Sequence, residues 1–230
     1  MLLEALAERI RTAGGEIHLS RPATGLRARA GRIVAVAVGP DEIPADLVIC
    51  ALPLPEVVNL LPEEVAAWRS ELAAVDFLGV SCLLVHASRP LTDQYWINVA
   101  DARVPCSGVI EYSNLNREIA PGQGLAYLPL YTPADDNRFL MPPEALTEEL
   151  LAGLRMIVPD LPSEAILGTM LTRDECAQAV CPPGFAARVP LFRNPPLAGL
   201  HLLDSTMLYP SDRCLSGMIG LARELVESLL

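Results

Sequence analysis

The sequence predicts an α/β domain interrupted by an α+β domain, and three observations predict it. Leu47-Val48-Ile49-Cys50-Ala51 is apolar at every position, the pattern of a parallel strand covered on both faces. Residues 76–131 hold a succession of short β-patterned segments with few helical stretches between them. Gly199-Leu200-His201-Leu202-Leu203-Asp204 reads as a buried strand, followed by a loop and an apolar-periodic helix near residues 216–229, so α/β character returns at the end. The first and last observations belong to one discontinuous domain, residues 1–53 with 185–230. Residues 54–184 form an inserted domain of antiparallel sheet and helices.

Taken in order, residues 2–13 read as a helix with Leu3, Leu6 and Ile10 on one face, stopped by Gly14-Gly15. Glu16 to Ser20 alternates and predicts a short strand. Gly25–Arg29 and Arg32–Val38 flank a turn at Ala30-Gly31, which predicts a hairpin. Gly39 to Glu42 is a further turn, ahead of the apolar run 47–51. Pro53 and Pro55 close that unit, and helical segments follow near 55–61 and 63–74. Strands are expected at Phe77 to Val85, Tyr95 to Val99, Gly108 to Tyr112 and Leu125 to Tyr131. Pro142-Pro143 opens a helix to about Ile157, since proline suits the first helical turn. Ile166 to Thr172 is a further strand.

Composition excludes several classes. The net charge is −11 with no basic cluster, so a phosphate backbone is repelled and nucleic acid is not an expected partner. All 17 basic residues are Arg, which removes Schiff-base and P-loop lysine chemistry. The six cysteines form no CxxC pair and fit neither a zinc site nor a disulfide framework, so no metal is expected and a reducing, cytoplasmic setting is. His18, His86 and His201 are scattered through strand patterns and read as structural. Ser216-Gly217 lacks the GxSxG frame of a serine hydrolase. No apolar run reaches the roughly 18 residues that a membrane span needs. Loose membrane contact is left open. At 51% hydrophobic residues and a mean hydropathy of +0.34, the chain has much surface to bury against something.

Four stretches together resemble a known family. They are LLEALAERIRTAGGEIHLSRPATGLRARAGRIVAVAV (2–38), ADLVICALP (45–53), YWINVADARVPCSGVIEYSNLN (95–116) and GLHLLDSTMLYPSDRCLSGMIGLARELVESLL (199–230). They are similar to the flavin-containing superfamily of amine oxidases, protoporphyrinogen oxidase and phytoene-type desaturases. The resemblance implies the C-terminal part of a two-domain FAD-dependent oxidoreductase, an FAD/NAD(P)-binding domain with a substrate domain inserted in it. The cofactor implied is FAD, and the reaction is hydride transfer from a C–N or C–C bond to the flavin.

Carried over residue by residue, the resemblance places Asp204 at the ribityl chain with Ser205 beside it, against the alternative that Asp204 caps or braces the following loop, and Arg213 toward a flavin phosphate, against pairing with Asp212 or the sheet end. A carboxylate at the carboxyl end of a buried α/β strand is well placed to accept hydrogen bonds from hydroxyls. Gly217, Met218 and Ile219 would offer the helix N-terminus to the flavin's pyrimidine side, where the dipole favours negative charge. Ala23 and the Ala51-Leu52-Pro53 turn would lie near the adenine end. Tyr95, Glu111, Tyr112 and Asn114 are candidates for lining a substrate cavity, against the alternative of a solvated strand face. Tyr95 and Trp96 are adjacent, so one is expected in the core and the other at a lipophilic pocket.

Two departures from the family pattern matter. Leu202 and Leu203 stand where small residues are usual, and Leu203 would crowd a pyrophosphate. These 230 residues also hold no GxGxxG between a strand and a helix; Gly122-Gln123-Gly124 lacks the third glycine and precedes a strand. The expected partners are therefore an N-terminal FAD-binding half or subunit that carries that fingerprint, and a small, lipophilic substrate. The alternative is a non-catalytic module of the same fold that binds a partner or a lipophilic ligand.

Overall fold

The structure is a computed structural model that describes residues 2–230. The first elements are α1 (Leu2–Thr12), β1 (Gly25–Arg29), β2 (Arg32–Val38), β3 (Asp41–Pro44), β4 (Val48–Cys50), α2 (Leu54–Leu60) and α3 (Ala66–Ala73). Next come β5 (Phe77–Ala87), β6 (Trp96–Asn98), β7 (Gly108–Glu111), α4 (Tyr112–Leu115), β8 (Gly124–Thr132), α5 (Pro143–Ile157) and β9 (Ile166–Ala179). The chain ends with α6 (Val189–Arg193), β10 (Leu200–Leu202) and α7 (Leu215–Leu229). Two compact units result, residues 1–74 with 182–230, and residues 75–181.

In the first unit, β1 and β2 pair around Ala30 and Gly31, whose φ angles of 51° and 74° make the left-handed two-residue turn that suits a twisted hairpin. β3 adds a third antiparallel strand to β2 where the sequence predicted only a turn. The expected strand at Glu16–Ser20 does not form, because its backbone finds no ladder; His18 Nε2 and Glu16 Oε2 meet locally at 2.9 Å instead.

β4 and β10 run parallel, with Val48, Ile49 and Cys50 opposite Leu200, His201 and Leu202. The fully apolar run was expected to be buried on both faces. Cys50 is buried, but Leu47 and Ile49 are exposed to 44% and 38%, so the strand is covered on one side only. The core of this unit gathers Leu54, Leu72, Phe185 and Phe192, and the Trp68 indole N–H donates to the Leu191 carbonyl at 3.0 Å. α1 buries nothing: Leu3, Leu6 and Ile10 are exposed to 78%, 50% and 47%.

The second unit is an antiparallel sheet in the order β6-β7-β8-β5-β9, with β9 twice as long as its expected apolar portion because it follows β5 to its start at Phe77. One face of the sheet is sealed. Leu83 and Val85 of β5 and Ala126 and Leu128 of β8 pack in one core with Leu146, Leu150 and Leu154, one stripe of α5.

Candidate functional site

In the first unit the carboxyl ends of β4 and β10 meet through Asp204. The Leu203 N–H donates to the Cys50 carbonyl at 2.9 Å, which carries the parallel pairing one residue past the strands. Asp204 is 6% exposed. Its Oδ2 accepts the Leu54 N–H at 3.1 Å, at the first residue of α2, and its Oδ1 accepts the Thr206 N–H at 2.8 Å. The carboxylate therefore caps the single 3-10 turn Ser205–Leu208 and ties it to the turn Ala51-Leu52-Pro53. Each oxygen keeps a second lone pair. Ser205 is half-buried beside it, and the buried Thr206 Oγ1 has no hydrogen-bond partner. An orphaned buried hydroxyl next to a strand-end carboxylate is suited to an incoming polar group.

The same short turn reaches α7. Leu208 packs on Gly217, where a Cβ would lie 3.0 Å from Leu208 Cδ2 and 3.3 Å from Cys214 Sγ. The space that Gly217 leaves is thus used by Leu208, a packing role that the sequence did not suggest. Cys214 caps the helix with Sγ accepting the Gly217 N–H at 3.3 Å. Met218 is half-buried, with its N–H returned to the Cys214 carbonyl, and Ile219 is exposed to 52%. Arg213 is half-buried and its N–H donates to Asp212 Oδ1 at 2.8 Å.

The structure brings Asp204, Ser205, Gly217 and the 51–53 turn into one connected region. Ala51 and Pro53 are exposed there. Ala23 is exposed ahead of β1, in a stretch whose next residues face Asn59 and Leu60 at the far end of α2, not its start. Leu202 is buried in the core, whereas Leu203 borders a cavity of about 190 Å³ with His201, Arg193, Leu221 and Glu224. Asp204 thus keeps lone pairs to offer at the strand ends, whereas at the start of α7 the Gly217 and Met218 N–H groups are already bonded to Cys214 and Leu208 occupies the space beside Gly217.

In the second unit, the substrate candidates separate. Glu111 is fully buried, and its carboxylate accepts the Leu91 N–H (2.7 Å), the Thr92 N–H (2.7 Å) and the Thr92 hydroxyl (2.9 Å). Asn114 Nδ2 donates to the carbonyls of Thr92 and Gln94 at 2.9 and 3.0 Å. Both brace the 91–94 loop, and Glu111 lies on no solvated face. Tyr112 is half-buried and opens α4. Neither Tyr95 nor Trp96 enters the core, contrary to expectation. They are exposed to 40% and 53% and pack edge to face at 6.3 Å, because β6 is a three-residue edge strand with little sheet beside it.

The sequence missed the sheet's open face. Trp96, Ile110, Tyr127, Leu84 and Met170 stand directly opposite one another across all five strands, an apolar row with no charged member. Its signal lay in the odd–even alternation of each strand, which fixes faces but not register. Burial pushes the thiols of Cys50, Cys82 and Cys106 up, so they behave as small hydrophobes. Among the described residues no cluster of His, Cys, Asp and Glu could hold a metal, and no helix is long and apolar enough to cross a membrane.

Comparison with known proteins agrees with this architecture. The chain is similar to the structure of a protein assigned as a protoporphyrinogen oxidase from an Exiguobacterium species, with a TM-score of 0.80 and 19% identity, over 99% of this chain and 50% of that one. An oxidoreductase from Methanosarcina mazei matches with a TM-score of 0.73 and 20% identity, over 96% and 53%. Putrescine oxidase matches with a TM-score of 0.71 and 14% identity, over 98% and 52%. The chain thus spans about half the length of these proteins. No curated protein sequence matches it. The model of the family described as flavin containing amine oxidoreductase matches residues 1–202, and the chain belongs to that family.

Proposed function

We propose that this chain supplies the C-terminal part of an FAD-dependent oxidoreductase, and that a GxGxxG-bearing βαβ unit from outside these 230 residues completes the cofactor site. The observation that carries this reading is the parallel pair β4–β10 with Asp204 at its carboxyl end and the start of α7 beside it. Bound FAD would supply hydride acceptance from a C–N or C–C bond. The chain's own residues have narrower tasks. Asp204 would accept hydrogen bonds from sugar-like hydroxyls through its remaining lone pairs, held in place by Leu54 and Thr206. Thr206 Oγ1 would gain the partner it lacks. The first turn of α7 would favour negative charge near its N–H groups. The second unit, with the apolar row from Trp96 to Met170, would receive a lipophilic substrate and exclude water. No acid or base is needed from this chain for hydride removal.

A second reading is a non-catalytic module of the same fold. Leu203, which lines a cavity where the family's pattern is small, favours it. A visible spectrum separates the two. The chain is purified alone, and again after co-expression with a GxGxxG-bearing half, and both are desalted after FAD is added. Flavin bands retained only in the co-expressed sample support the proposal. Retention by the chain alone removes the need for a second unit. A stable, monodisperse and colourless chain that ignores the other half favours the module.

A further inference from the structure

The second unit carries a polar cleft of about 300 Å³ that the flavin reading does not use. We infer that it binds a small zwitterion of amino-acid type. Two opposite charges border it, Arg117 and Asp93. Both are exposed, and among the described residues neither has a hydrogen bond or an ion pair, with each other or with any neighbour. An Arg and an Asp facing one cleft without meeting leave room for a molecule that carries both complementary charges.

The uncharged lining groups include both free donors and free acceptors. His86 Nε2 donates to Gln123 Oε1 at 2.7 Å, which leaves the Gln123 amide N–H groups for the cleft. Gln123 is itself set by a turn whose Gly122 has a φ of 74°, closed by the Gln123 N–H on the Ala120 carbonyl at 3.0 Å. Ser113 is 4% exposed; its oxygen accepts the Leu125 N–H at 3.0 Å, and its own proton has no acceptor among the described residues. Asn114 spends both amide protons on the 92 and 94 carbonyls, so only its Oδ1 remains. Donors from Arg117, Gln123 and Ser113 suit a carboxylate. Acceptors from Asp93 and Asn114 suit an ammonium. The volume lies at the small end of the range for small-molecule sites.

Calorimetric titration of the full chain tests this, with each proteinogenic L-amino acid and with propionate and ethylammonium chloride as the two halves of alanine. At least one amino acid should bind more tightly than either half-molecule. Arg117→Gln and Asp93→Asn, both surface changes, should each weaken that binding about tenfold or more, as expected for losing one charge-assisted partner. The side-chain amide signal of Gln123 should shift on binding. Absence of binding by every amino acid overturns the proposal. So does binding that either variant leaves unchanged. If propionate matches the amino acid and Asp93→Asn has no effect, the cleft is an anion site and the zwitterion is wrong.

Discussion

At the scale of single residues, two buried carboxylates hold loops by the same device, and only one of them stands where family resemblance would put a cofactor. Glu111 accepts three donors from residues 91 and 92, and Asp204 accepts one each from Leu54 and Thr206. Asp204→Ala leaves both N–H groups without an acceptor in a buried place. The expected loss is about 2–4 kcal/mol, at one to two orphaned donors plus a lost cap. Asp204→Asn keeps one acceptor oxygen and should recover about half of that. Urea unfolding of the two variants checks the order. If Asn costs as much as Ala, the charge and not the cap stabilises the turn. Sequence alone marked Asp204 through its position at the end of an apolar strand. It did not mark the buried role of Glu111, because a carboxylate's partners there are backbone groups 19 and 20 residues away.

At the scale of elements, α5 shows why local preference does not decide a position. Gly153 lies inside this helix, where alanine would be favoured by about 1 kcal/mol. A Cβ there would sit 2.5 Å from Pro105 Cδ and 3.2 Å from Val104 Cγ1. The proline ring cannot rotate aside, and overpacking costs about 1–3 kcal/mol. Gly153→Ala is therefore expected to destabilise the chain by about 1 kcal/mol net, and a lower thermal midpoint would show it. A higher midpoint would mean that the 104–105 segment moves away freely. The helix itself was legible to within a residue, as were the β1–β2 hairpin and the terminal helix, because each pairs a clear period with a Pro, a Gly or a turn. β3, Glu16–Ser20 and the extent of β9 were not. Their fate depends on whether a neighbouring backbone offers hydrogen bonds, and the sequence of the segment does not contain that neighbour.

At the scale of the whole molecule, apolar surface is left on particular elements of the first unit. α1 exposes Leu2, Leu3, Leu6 and Ile10; α7 exposes Leu215, Ile219 and Val226; the β4 stretch exposes Leu47, Ile49 and Leu52. A two-stranded parallel sheet is also too small to bury both faces of its strands. This explains why strand 47–51 reads as fully buried while the structure covers one side of it. The βαβ unit proposed above would extend this sheet and cover the exposed side. If a βαβ unit covers these faces, charges on them should act in opposite directions in two settings. Leu6→Glu with Ile10→Glu removes exposed apolar area from the isolated chain, so light scattering should report less self-association. In the chain co-expressed with a GxGxxG-bearing half, the same pair would bury two carboxylates, and the yield of flavin-containing complex should fall at least about tenfold, since an unpaired buried charge costs several kcal/mol. A double variant that scatters less and still forms the complex in full would show that α1 is a solvent-facing helix, and would move the contact with the proposed unit to β4 and α7.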